Sequence, residues 1–382
     1  MTVELAIASL AAGGDGVGRD DTGRVTFVPA TAPGDRVVVN ITKATKSFAR
    51  GELAQLITPG ASRVVPSCRH AIAGCGGCSW QHVARAEQLA AKQAIVEGAL
   101  RKLAVTIHPI ADPGPALGWR RRARFHVVAG VVGLYAHASH RVIAIDACPQ
   151  LEPALDAALA AVTAARPPDG ELVLAIGHRG EIVIGVERAW PAADAIIGRA
   201  GIVGVDVAGR RIGITVIEIE PGLVGGPWDF AQASAAGNRA LVARTLAAVG
   251  DGSGRLLELY AGAGNFTRGL VAAGWDVLAT DHVAPVKSVS RFEVGPVERV
   301  LAARGGPVDV IVLDPPRTGA AEAMAGILRL APRRVVYVSC DPATLARDLA
   351  RLDGNYVAGE AWPLDLMPHT SHVEVVMRLD RA

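Results

Sequence analysis

The chain has 382 residues but only five cysteines, and aromatic residues make up 4% of it. So few thiols, in odd number, exclude a disulfide framework; in a reducing compartment they point to metal binding or catalysis. An excess of one charge is lacking too, since 39 Lys and Arg stand against 37 Asp and Glu, a net +2. A global positive field is therefore excluded, and any nucleic-acid binding must come from local basic patches. No apolar run reaches the roughly 18 residues of a membrane span. The start, Met1-Thr2-Val3-Glu4, also lacks the basic stretch of a secretory signal. The expectation is a cytoplasmic protein with no membrane association and no obligate protein partner. There is no internal repeat or low-complexity tract.

The length suits two or three domains. Residues 1–58 read as short strands, Val3–Ile7, Val25–Val28, Arg36–Ile41 and Gly51–Leu56, between Gly/Asp/Pro turns. Such spacing predicts a small, OB-like β-barrel. Barrels of this kind bind single-stranded RNA or serve as structural caps. Both readings stand, because the charges nearly cancel and Phe27 and Phe48 are the only aromatics. Residues 59–227 read as a mixed α+β central domain: a cysteine-bearing glycine-rich loop, an Ala-rich helix from 84 to about 103, then strands at 123–128, 131–135, 171–176, 181–186 and 211–219. Residues 228–382 alternate helices with strands, which predicts an α/β domain with a largely parallel sheet and a ligand site at the strands' carboxyl ends.

Short motifs lie at those ends. Glu258-Leu259-Tyr260-Ala261-Gly262-Ala263-Gly264-Asn265-Phe266 places glycines in a turn that opens a helix. Alone, this turn suits a nicotinamide cofactor, S-adenosylmethionine or plain chain reversal. The missing third glycine, the strand end at Asp281 and the later Asp314-Pro315-Pro316-Arg317 turn the reading towards S-adenosylmethionine. Cys340 closes another strand directly before Asp341-Pro342; in isolation it reads as a buried strand-end thiol.

Taken in order, Leu313–Arg317, Val338–Thr344 and Pro368-His369-Thr370-Ser371-His372-Val373-Glu374 resemble the S-adenosylmethionine-dependent RNA uridine-C5 methyltransferases, over nearly the whole chain. The resemblance implies an N-terminal TRAM barrel that binds RNA and a class I, Rossmann-like methyltransferase domain. It also implies Cys340 as nucleophile at uracil C6 and Glu374 as the base that removes the C5 proton. Gln232, Tyr260, Asn265, Asp281 and Asp314 match positions that contact the cofactor. Arg317, His369 and His372 match positions that hold RNA or the base, with structural hydrogen bonding at least an equal reading for the two histidines. Ribosomal (23S) or transfer RNA is the implied substrate, with 23S favoured.

The remaining cysteines form a 3+1 set, Cys68-x6-Cys75-x2-Cys78 and Cys148. Four thiolates suit tetrahedral zinc or an iron–sulfur cluster. The resemblance implies a [4Fe-4S] cluster rather than zinc, leaving Cys340 as the thiol free for chemistry. Between these ligands, Arg120, Arg121, Arg122 and Arg124 are flanked by Trp119 and Phe125. RNA contact is expected there, against the plainer reading of a solvated strand.

Departures from the family lie between Asp281 and Asp314, where the chain is short and Gly295-Pro296 stands in place of an adenine-side acid. Ser234 also stands where asparagine is common, and Asp281 where glutamate is. Two other functions are therefore weighed: a cluster-bearing RNA-binding protein with weak or lost methyl transfer, and an RNA cytosine-C5 methyltransferase. The latter has its cysteines in Pro-Cys and Thr-Cys motifs, whereas this chain has Ser339-Cys340-Asp341-Pro342.

Overall fold

The computed structural model describes all 382 residues. Strands Thr2–Leu10, Gly16–Arg19, Val25–Val28, Phe48–Thr58 and Arg36–Ala44 close, in that order, into a five-stranded barrel. Period-two alternation turns Leu5, Ile7, Val28, Val37 and Val39 inward as its small core. Sequence reading misses Gly16–Arg19 because glycine disfavours strands. The glycines are needed for close approach: a Cβ on Gly16 would lie 2.0 Å from Thr31 Oγ1, and one on Gly18 2.8 Å from the Ala6 carbonyl.

The middle of the chain forms a seven-stranded sheet in the order Arg210–Gly213, Ile202–Val207, Ile182–Val186, Gly170–Ile176, Arg122–Val128, Val131–Tyr135, Val142–Ala144. Helix Pro153–Ala164 covers it with Leu155, Ala158, Leu159 and Val162, an i, i+3, i+4, i+7 stripe. The run 211–219, expected as one strand, is broken: Gly213 takes a left-handed φ of 70° and turns the chain, so Ile217–Glu220 pairs instead with Leu223–Gly225.

The C-terminal sheet has eight strands, Arg291–Val294, Asp276–Asp281, Arg255–Leu259, Val310–Leu313, Arg334–Ser339, Glu374–Arg381, Tyr356–Leu364 and Thr106–Ile107. The first five are mutually parallel, and Glu374–Arg381 runs antiparallel to both neighbours. Thr106–Ile107 corrects the expected division of the chain. This strand, with Val96 and Leu100 of helix Arg85–Leu100, packs on the C-terminal core, so residues from the expected central domain build the last one. No helix is long and apolar enough to cross a membrane.

Candidate active site

At the end of strand Arg255–Leu259 the chain turns through Tyr260 (φ 58°), Gly262 (φ 54°) and Gly264 (φ 90°). Tyrosine pays a steric cost in this region, and it persists where neighbours fix it. Here its hydroxyl donates to Glu322 Oε1 at 2.6 Å. A Cβ on Gly262 would meet nothing within 4 Å, so the turn opens on free space that a ligand can enter. Asp281, at the next strand's end, accepts from the Gly262 N–H at 2.8 Å and from the His282 N–H at 2.6 Å. Asn265 and Asn238 exchange two amide hydrogen bonds of 2.8 and 3.0 Å.

Behind the turn, Glu258 is 1% exposed, accepts from the Thr267 hydroxyl at 2.6 Å and has one oxygen without a partner. Burial pushes its pKa up to about 8. Gln232 is half-buried just ahead of helix Ala235–Val249. Ser234 caps that helix, accepting from the Gly237 N–H at 3.0 Å, which explains a serine at this position. Sequence reading missed Asn238 and Glu322, because each lies in an unremarkable helical or loop stretch.

The antiparallel register that pairs Ser339 with Val375 brings Cys340 and Glu374 to the same level, at the end of two neighbouring strands. Asp314 follows the adjacent strand Val310–Leu313. The cysteine is half-buried and Glu374 is 5% exposed. Burial, and then the Glu374 carboxylate, push the Cys340 thiol up to about 11, while the Arg317 guanidinium pulls it down. Glu374 is itself raised to about 8, by burial and then by Asp314. Asp314 rises to about 7 through burial. Near pH 7 the site thus holds a neutral thiol, a mostly protonated Glu374 and a partly ionised Asp314, so both carboxyl groups can exchange a proton.

Arg317 Nη2 donates to His372 Nε2 at 3.1 Å. A guanidinium only donates, so Nε2 accepts and the imidazole is neutral. Burial, with Arg317 next, holds His372 down at about 4.

Cys68, Cys75, Cys78 and Cys148 are all free and line one cavity of about 410 Å³, which also reaches Arg120, Arg317, Thr370 and His372. This donor set of four thiols suits zinc or an iron–sulfur group. No three His, Cys, Asp or Glu side chains converge tightly enough to clasp a single ion.

The arginine run is not one surface. Arg121 is buried, donates to the Ile219 carbonyl at 3.3 Å and pairs with Glu220 and Glu152. Arg122 donates to the Pro227 carbonyl. These two hold neighbouring segments together. Arg120 is half-buried over Trp119 at the cysteine cavity, and Arg124 is exposed beside Glu171. Strand alternation and the junction with residues 217–229 decide which way each points.

Comparison with known proteins agrees with this geometry. Residues 1–54 match the TRAM domain and residues 307–382 match the tRNA (uracil-5-)-methyltransferase family. A 23S rRNA (uracil(1939)-C(5))-methyltransferase from Thiobacillus denitrificans is 34% identical over 100% of both chains. One from Edwardsiella ictaluri is 32% identical over 97% of this chain and 93% of its own. An uncharacterized RNA methyltransferase of Thermosynechococcus vestitus is 33% identical over 99% of this chain and 98% of its own. In fold, the chain resembles the Pyrococcus abyssi tRNA (uracil-54, C5)-methyltransferase solved with S-adenosyl-L-homocysteine, with a TM-score of 0.76, 24% identity and 99% of both chains covered. A TRAM barrel, a methyltransferase sheet with its strand-end motifs and full-length relatives converge on one conclusion: the chain belongs to the S-adenosylmethionine-dependent RNA uracil-C5 methyltransferases.

Proposed function

We propose that this enzyme methylates C5 of a uridine in 23S rRNA through a covalent bond between Cys340 and C6. The register that sets Cys340 beside Glu374 carries the reading. Uracil C5 is a weak nucleophile, and addition of a thiolate at C6 turns C5 into an enolate carbon. Cys340 gives its proton to solvent, and its Sγ thiolate then forms the S–C6 bond while the C5–C6 π pair moves onto C5 and the C4 carbonyl. S-adenosylmethionine, when bound, supplies the electrophilic methyl group. Glu374, as carboxylate, then takes the C5 proton; the electron pair restores the C5–C6 double bond and expels Cys340 as thiolate. Arg317 lowers the thiol's pKa and is placed to stabilise both anions.

Open space at Gly262 and the neighbouring Tyr260, Asn265, Asp281 and Asp314 fit the cofactor, with Gln232 just ahead of helix Ala235–Val249, whose Asn238 bonds Asn265. Cys68, Cys75, Cys78 and Cys148 are assigned to a [4Fe-4S] cluster with a structural role. Stoichiometric zinc without iron or sulfide in purified protein would remove that assignment. The barrel and Arg124 are assigned to RNA contact, in the cytoplasm. The 23S assignment rests on the full-length relatives named above. It is tested by methylating 23S rRNA transcripts and tRNA in parallel and mapping 5-methyluridine by mass spectrometry. Methylation of tRNA alone would overturn it.

A further inference from the structure

The stretch Asp365–Val373 joins the strand Tyr356–Leu364 to Glu374 and carries His372 against Arg317. Few bonds within the stretch hold it. Thr370 Oγ1 donates to the Met367 carbonyl at 2.8 Å and accepts from the His372 N–H at 3.3 Å. The grip comes from the other end of the chain. Gln88, on helix Arg85–Leu100, is 0% exposed, and its Oε1 accepts from the His369 N–H at 2.9 Å. Its Nε2 lies 3.1 Å from His369 Nδ1 and donates to the Trp80 and Val83 carbonyls at 3.1 and 2.8 Å. From the cysteine loop, the Trp80 N–H donates to the His369 carbonyl at 2.9 Å. One helical turn on, Lys92 Nζ donates to Asp365 Oδ1 at 2.5 Å and to the Met367 carbonyl at 3.0 Å.

The residue gripped hardest is strained. His369 has φ 62°, a left-handed conformation uncommon for residues other than glycine. Such a conformation persists only when its surroundings over-determine it. Here the backbone N–H and the carbonyl are both held from outside the loop, the N–H by Gln88 and the carbonyl by Trp80, whose own carbonyl accepts from Gln88. Release would let residue 369 relax to negative φ, swinging the chain three residues before His372 and five before Glu374.

We propose that Gln88 is a positioning residue for methyl transfer: by holding His369 left-handed, it sets the loop that delivers His372 and Glu374 to the reacting uridine. The proposal rests on Glu374 acting as the base. A displacement of about an ångström at a reacting group costs on the order of a hundredfold in rate. Gln88→Met keeps the side chain's length and removes its hydrogen bonds. We expect kcat to fall by about ten- to a hundredfold with the KM for S-adenosylmethionine within about twofold. The covalent protein–RNA adduct on natural RNA should accumulate, because proton removal at C5 slows while addition at C6 persists.

Adding His369→Gly, which takes positive φ without strain, should restore a substantial part of the lost kcat, at least about threefold. A role limited to filling volume would not respond to glycine at residue 369. Unchanged turnover in Gln88→Met, or no recovery in the double variant, overturns the proposal. If Gln88→Met melts below the assay temperature, His369→Gly against His369→Val asks the same question without touching the helix. The glycine variant should exceed valine at least about tenfold in kcat, and equality overturns the proposal. Wild-type protein with 5-fluorouridine RNA runs alongside: no adduct there overturns the Cys340–Glu374 reading and this proposal with it. An adduct there, with normal turnover in Gln88→Met, removes the Gln88 proposal alone.

Discussion

Replacing Glu374 by glutamine should change the reactivity of Cys340 only where Glu374 is charged. With its pKa at about 11, about one Cys340 thiol in a thousand is ionised at pH 8. Glu374, with a pKa of about 8, is roughly one tenth carboxylate at pH 7 and roughly nine tenths at pH 9. Burial is the larger cause of the raised thiol pKa and the Glu374 carboxylate the second. The variant therefore lowers the thiol pKa without restoring an ordinary one. Each unit of lowering multiplies the thiolate fraction by ten but weakens the thiolate about threefold as a nucleophile, a net gain of about threefold. Alkylation of the Cys340 peptide by iodoacetamide, followed by mass spectrometry on the intact holoprotein, should be nearly equal in wild type and Glu374→Gln at pH 7. At pH 9 the variant should react about three- to tenfold faster. Equal rates at pH 9, or a larger ratio at pH 7 than at pH 9, would refute the electrostatic pairing of these two residues.

Further outcomes follow from the buried charges. Glu258 has a folded-state pKa of about 8, above its unfolded value, so the fold favours the protonated acid. Stability is lost as pH rises through the window from about 4.5 to 8. Glu258→Gln removes that loss: its melting temperature relative to wild type should climb between pH 5 and pH 8.5, and a constant difference would contradict the burial argument. Lys92→Met leaves the buried Asp365 with Arg85 alone and should cost about 3 kcal/mol, near the low end for a broken buried pair. Thermal denaturation should then shift down by roughly 6–12 °C; a shift under two degrees would show that Arg85 suffices. Arg121→Ala should destabilise the protein while leaving the RNA affinity of the folded fraction intact. Arg124→Ala should weaken RNA binding and flatten its salt dependence without a stability change, as titrations at several ionic strengths would show. The reverse pattern would restore Arg121 to the RNA surface.

The chemistry-bearing residues were legible because parallel strands deliver whatever follows them to one edge of the sheet. Tyr260, Asp281, Asp314 and Cys340 each end or follow a strand and arrive together. The glycine turn and the apolar strands carry local signals of period and φ that need no tertiary context. Thr106–Ile107 carries none: two residues pair because Glu360 and Ala361 present an open edge. The side-chain directions in the arginine run depend on carbonyls of residues 219 and 227, about a hundred positions away. Gln88 is an ordinary polar residue of an Ala-rich helix until His369 is folded against it. Long-range partners, rather than local propensity, decide these cases.

Covalent trapping tests the central claim most directly. Holoprotein and Cys340→Ala are incubated with S-adenosylmethionine and RNA carrying 5-fluorouridine, whose C5 fluorine cannot leave as a proton, and resolved under denaturing conditions. A stable protein–RNA adduct in the wild type, absent from the variant and mapping to a 23S uridine, is the predicted result. An adduct that persists in Cys340→Ala, or no adduct from a protein that still binds RNA and S-adenosylmethionine, would contradict it.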